Sequence, residues 1–213
     1  DIFLQAWICN NNNSSYIAKG DTAIVFTKYS MSQEEQDKHN YIVIDRDKVY
    51  NADGSIKNSV QNVTFKKFLD PTRESVNYTG STRHGVILRL AEMYLIAAEA
   101  ELNMNHKKEG TEYINQIRRR AGKEGHKAEM EISQDELTLD FILDERAREL
   151  GGEQQRWYDL KRTGKLLELV QKYNPDAKAN IKDYHILRPI PQTQLDAVIN
   201  KEEFKQNTGY SGN

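Results

Sequence analysis

No proline occurs between Val86 and Asn174, and through that block apolar residues recur at three- and four-residue steps. Proline breaks helix interiors, because it lacks an N–H and its ring clashes with the preceding turn, so this block is free to be helical. Four helices are expected in it. Val86 to Met104 is apolar almost all round, which predicts a helix buried between neighbours. Asn105 and His106 turn the chain into a second helix, Lys107 to Ala121, with Tyr113, Ile114, Ile117 and Ala121 on its stripe and Gly122 as its stop. Ser133 and Glu136 read as a capping box opening a third helix that ends at Leu150. A fourth starts at Glu153, falters at Thr163 and Gly164, and runs to Tyr173, ahead of Asn174 and Pro175. Short links between successive helices favour antiparallel hairpins, and the first pair is tetratricopeptide-like in length and in its small residues.

The stretch from Glu145 to Arg162 holds the densest charge. Arg146 falls on the apolar stripe of Leu139, Ile142, Leu143 and Leu150. A guanidinium on a buried face needs carboxylate partners, because an unpaired buried charge is very costly. Glu149, Glu153 and Asp159 are near enough in sequence to serve, and a carboxylate partner is expected for Arg156 as well. Two helices meeting at Gly151 and Gly152, tied by ion pairs, are the expected local structure.

Residues 1–85 have a different character. They carry more than half of the aromatic residues among many Asn, Ser and Thr, with short β-like runs only. Thr22 to Thr27 and Tyr41 to Asp45 have strand composition. Asp53 and Gly54 mark a hairpin turn between Tyr50 and Ile56, and Asn62 to Phe68 alternates apolar with polar. The fold class expected is mainly α: antiparallel helical hairpins, with a loop-rich N-terminal half carrying short β-strands and a hairpin. Residues 1–213 are expected to form a single region, 1–85 loop-rich and ligand-facing, and 86–213 a helical scaffold with an extended tail around Pro189 and Pro191.

Most site chemistries find no pattern here. The histidines are scattered without metal-ligand spacing, and Cys9 is the only cysteine, so neither a metal nor a disulfide framework is expected. Phosphate-binding glycine loops and a Gly-x-Ser-x-Gly elbow are both missing, so no cofactor is expected. Glu145 and Glu149 lie one helical turn apart, near the spacing of a retaining glycosidase pair. A general acid needs a raised pKa, however, and Arg146, Arg148 and Arg156 would lower it, so a structural network is the better reading and no catalytic residue is assigned. A net charge of -2 gives no pull toward nucleic acid, and Arg118 to Arg120 suit a helix C-terminus instead. No run of about eighteen apolar residues or signal peptide is seen, which leaves open a cytosolic chain, a processed one or a fragment. Aromatic rings among amide and acid side chains remain, and these can stack on sugar faces while neighbours bond hydroxyls. Trp7, Tyr16, Tyr41 and Tyr50 are the candidate ligand-binding residues, with Tyr29 and Tyr78 as further rings, although any one of them can equally pack the fold.

The helical half resembles the C-terminal region of the SusD/RagB family of surface nutrient-binding lipoproteins. The resemblance rests on RLAEMYLIAAEA at 89–100, INQIRRRAG at 114–122, ILDERAREL at 142–150, EQQRWYDLKR at 153–162, PIPQ at 189–192 and QNTGY at 206–210. A looser match continues upstream through KKFLDP at 66–71. The chain departs from the family pattern at Gly152, Gln154 and Thr208, where an aromatic, a glycine and a proline are usual. The resemblance implies a glycan-binding protein without catalysis, taking an oligosaccharide or polysaccharide and docked on a TonB-dependent, SusC-like transporter. It implies placement at the outer-membrane surface, with a lipid anchor and several helices in sequence outside this chain. It carries no binding residue onto this sequence by motif. A helical interaction module of the transporter complex, without sugar binding, is the alternative.

Overall fold

The computed structural model describes residues 3–9, 17–57, 60–75 and 78–210. The chain divides into two compact units, Asp1–Leu69 with Val170–Lys182, and Asp70–Leu169 with Asp183–Asn213.

The first unit is built on a three-stranded sheet of β1 (Phe3–Ile8), β2 (Thr22–Thr27) and β3 (Ile42–Ile44), with the short helices α1 (Gln33–Gln36) and α2 (Arg46–Val49). β2 is central, antiparallel to β1 and parallel to β3. A parallel pair cannot be joined by a tight turn, and the connection from Lys28 to Tyr41 supplies the necessary crossover with α1 inside it. β2 matches the strand read from composition. β1 contains Gln5 and Ala6, weak strand formers, and owes its state to pairing with β2. The Asp53–Gly54 turn is present: Tyr50 pairs with Ile56, Gly54 takes φ +83°, and the Asp53 carboxylate accepts from the Ser55 amide. Asn62 to Phe68 is not a strand. Its backbone is held instead by the Gln5 side chain, which donates to the Thr64 carbonyl at 2.7 Å and accepts from the Thr64 amide at 3.1 Å.

The second unit is helical. α3 (Leu90–Asn103) and α4 (Lys107–Ala121) form an antiparallel hairpin; α5 (Leu139–Glu149) and α6 (Arg156–Arg162) follow, then the start of α7 (Leu166–Tyr173), which from Val170 on belongs to the first unit, and α8 (Gln192–Ala197). The direction of the hairpin shows in its contacts, which pair Glu101 with His106 at the turn and Tyr94 with Tyr113 at 6.0 Å two turns away. Leu95, Ala98, Ile114, Ile117 and Ile142 meet in its core. Gly110 permits the approach, since a β-carbon there would lie 2.9 Å from Leu137 Cδ2 and 3.1 Å from the Ala98 carbonyl oxygen. No helix among the described residues is long and apolar enough to cross a membrane.

Three helix starts differ from the expected ones; the fourth expected helix begins at Arg156 instead of Glu153 and breaks at Thr163 into α6 and α7. α3 begins at Leu90, leaving Val86, Ile87 and Leu88 exposed ahead of it, and it is buried on one side only, because Leu90, Met93 and Ile96 are exposed. α5 begins six residues after Ser133. The Glu136 carboxylate accepts from both the amide and the hydroxyl of Ser133, which closes a separate turn; Leu137 then inserts fully into the core, and Thr138 caps the helix by accepting from the Phe141 amide at 3.1 Å. Core insertion of Leu137 outweighs the local capping preference.

The tail is extended, as its prolines require, and side chains do the pairing. Gln206 accepts from the Ile190 amide and donates to the Ile190 carbonyl, both at 2.8 Å, while the Tyr210 hydroxyl donates to the Leu187 carbonyl at 2.6 Å. At the opposite end of the second unit, Thr72 and Ser81 hydroxyls bond the Asp70 carboxylate and bring its pKa down to about 2.

Candidate functional site

In the first unit, the end of β2, the end of β3 and the chain after α2 enclose a groove of about 260 Å³. Its floor is apolar because Phe26, Ile44 and Val49 are all buried, and Tyr50 and Val63 form its walls. Lys28 and Arg46 stand at its polar edge. Tyr50 is placed by the caps around it. The Asp45 carboxylate, in extended backbone ahead of α2, accepts from the Lys48 amide at 3.0 Å, and the Lys57 amide bonds the Val49 carbonyl at 2.8 Å. α2 is thereby limited to one turn, and Tyr50 leaves it in extended conformation. The volume lies at the small end of ligand sites, suited to one ring of a longer molecule.

Trp7 packs against the same Phe26, Ile44 and Val49 cluster from β1, half-buried. Its indole Nε1 donates to Gln5 at 3.2 Å, and the Lys66 ammonium sits 5.1 Å from its ring centroid. The structure therefore brings Trp7 and Tyr50 to one cluster. Tyr41 is elsewhere, stacked on His39 with ring centroids 4.6 Å apart, and Tyr16 lies outside the described residues. Lys66, Lys28 and Arg46 carried no site signal in the sequence, because isolated cations in a loop-rich segment have no characteristic spacing.

In the second unit, the charged stretch forms a clasp. Arg146 is 4% exposed, and its Nε donates to Asp159 at 2.7 Å. Asp159 also accepts from Arg162 at 3.0 Å, and Arg162 bonds Glu99 of α3 through both Nη atoms. Arg89 draws Glu149 and Glu153 together, with N–O distances of 2.5 and 2.8 Å, and those bonds hold its guanidinium pKa above the ordinary value, Glu153 contributing most. Arg156 is a correction: its Nη1 donates to the Leu143 carbonyl at 2.7 Å, tying α6 to α5 through backbone instead of through a carboxylate.

The glycosidase-like pair is fully engaged by arginine. Glu145 Oε2 accepts from Arg118 and Arg148, both at 2.7 Å, and Glu149 accepts from Arg89 and Arg120. The corner itself turns through Gly152 at φ +79° and Gln154 at φ +63°. The left-handed region costs a residue with a β-carbon about 1–2 kcal/mol, and glycine returns part of that gain as unfolded-chain entropy. Gln154→Gly is thus expected to raise stability by about 0.5–1 kcal/mol, read from the urea midpoint at constant slope.

The model of the SusD family matches residues 4–210. Relatives in Formosa agariphila include "SusD-like protein P25", 37% identical over 132 residues, covering 59% of this chain and 24% of that protein. "SusD-like protein P2" of the same organism is 38% identical over 142 residues, covering 61% of the chain and 26% of that protein. The matched segments thus span about a quarter of the length of these curated relatives.

Proposed function

The chain belongs to the SusD family, and from that premise we propose that it serves as a non-catalytic glycan-binding component of nutrient uptake. On this reading the complete protein sits at the outer-membrane surface and hands an oligosaccharide to a TonB-dependent, SusC-like transporter. The observation that carries the sugar-binding part is the pairing of Trp7 and Tyr50 on one apolar cluster beside an open groove. Aromatic rings offer flat apolar faces to sugar C–H groups, while Lys28 and Arg46 at the groove edge supply hydrogen-bonding partners for hydroxyls. Engagement of Glu145 and Glu149 by guanidinium groups supports binding without hydrolysis.

Retention in polysaccharide-containing gels tests the reading. Covering one ring face removes about 60 Å² of apolar surface from water, worth about 1.5 kcal/mol or roughly tenfold in affinity. Tyr50→Ala is expected to weaken retention about tenfold and Tyr50→Phe to preserve it, with circular dichroism showing the sheet intact in both. Trp7→Ala is expected to act in the same direction. Loss of neither ring changing retention would remove both residues from the site, and transporter assembly without retention on any polysaccharide would select the interaction-module reading.

A further inference from the structure

The parallel pairing of β2 with β3 sets Phe26 opposite Ile44. Lys28 and Arg46, each two residues further on, therefore stand at the same end of the sheet, where neighbouring strands lie about 4.8 Å apart. Both are exposed, and both line the groove of about 260 Å³ that Tyr50 walls. Among the described residues that line it, none is Asp or Glu. Acids outnumber bases by two in the chain as a whole, so the groove has the opposite charge balance to the protein around it.

The two charged side chains of the lining are donors only. A sugar hydroxyl both donates and accepts, whereas a carboxylate or sulfate group only accepts, and its bonds to lysine and arginine are charge-assisted. Arg46 is lightly held. Its Nη2 lies 3.3 Å from Asp47 Oδ1 in a pair more than half exposed on both sides, and Asp47 also accepts from the Ser30 hydroxyl. An exposed pair of this kind is weak, so the guanidinium remains open to a second anion. Ring and cation occur together again at Trp7, where the Lys66 ammonium sits 5.1 Å from the ring centroid and donates to the Ala6 carbonyl at 3.0 Å. Each of the two candidate rings thus has positive charge beside it.

We propose that this groove selects an anionic sugar, a unit bearing a carboxylate or sulfate group, whose ring packs on Tyr50 while the charged substituent lies between Lys28 and Arg46. The inference rests on the sugar-binding reading above and adds a substrate class to it. Tyr50 contributes to any sugar with an apolar face; Lys28 and Arg46 separate charged units from neutral ones of the same shape. Carboxylate and sulfate offer a guanidinium the same pair of acceptor oxygens.

Affinity gels that differ only in charge provide the test. The complete encoded protein is run through polygalacturonate and its methyl ester, and through dextran sulfate and dextran. Lys28→Gln, Arg46→Gln and the double substitution are compared with Lys205→Gln, an exposed lysine of the second unit, with circular dichroism checking the fold of each. In at least one pair the charged gel is expected to retain the protein about tenfold more strongly than its neutral counterpart. Each single substitution is expected to reduce that preference about threefold and the double substitution to abolish it, while Lys205→Gln leaves it unchanged. The pair that responds tells a carboxylate from a sulfate. Equal retention on charged and neutral gels, still lowered by Tyr50→Ala, overturns the anionic selection and leaves sugar binding standing. A preference for charge that survives the double substitution also overturns it. Retention on neither charged gel overturns it too, while Tyr50-dependent retention on any neutral polysaccharide keeps the sugar-binding reading.

Discussion

Arg146→Ala is expected to lower the stability of the second unit by about 3–5 kcal/mol, because it leaves buried Glu92 with no cation among the described residues and Asp159 with only the half-exposed Arg162. Arg148→Ala, two residues away, is expected to cost less than about 1 kcal/mol, since Arg148 is largely exposed and Glu145 keeps Arg118. Urea unfolding followed by Trp157 fluorescence in a Trp7→Phe background reads the second unit alone. Equal effects of the two substitutions would show that burial does not set the strength of the clasp. Arg146 Nη1 is buried without a hydrogen-bond partner, which lowers the expected loss without reversing it. Truncation removes that unsatisfied donor, but it leaves Glu92 uncompensated and Asp159 with Arg162 alone, and the buried charge outweighs one missing hydrogen bond.

How far this clasp could be read from the sequence depends on distance along the chain. Arg146 is buried as its place on the Ile142, Leu143 and Leu150 stripe predicts, and Asp159, one of three nearby candidates, is its partner. The other two candidates, Glu149 and Glu153, are taken by Arg89, which lies 60 and 64 residues upstream of them. No local periodicity reports a pairing of that span. Glu92 reaches Arg146 for the same reason, through the packing of α3 on α5. Arg156 looked like another ion-pair member, yet the Leu143 carbonyl within α5 takes its Nη1 instead.

The candidate sugar site was legible in residue type and less so in arrangement. β2 and the Asp53–Gly54 turn follow from composition, and they bring Tyr50 to the groove. Trp7 reaches the apolar cluster beneath that groove only because β1 pairs with β2, a contact set by tertiary structure and not by propensity. Tyr41 has similar sequence surroundings but precedes β3, where His39 covers one face of its ring. Side-chain composition marks the candidate rings; strand order decides which of them share one cluster.

The two sides of α3 yield the second large effect. Leu95→Ala is expected to cost about 2–5 kcal/mol, because Leu95 is fully buried in the cluster of Ala98, Ile114 and Ile142 and truncation leaves a cavity there. Leu88→Ala, with Leu88 61% exposed just ahead of the helix, is expected to fall within about 0.5 kcal/mol in the 213-residue chain. Both leucines belong to the run that sequence alone reads as apolar all round, so hydrophobicity cannot separate them; only the positions of α4 and α5 do. Thermal and urea unfolding of the two variants measures that separation directly. A Leu95→Ala loss under about 1 kcal/mol would mean that the α3–α4 hairpin repacks freely around the missing side chain.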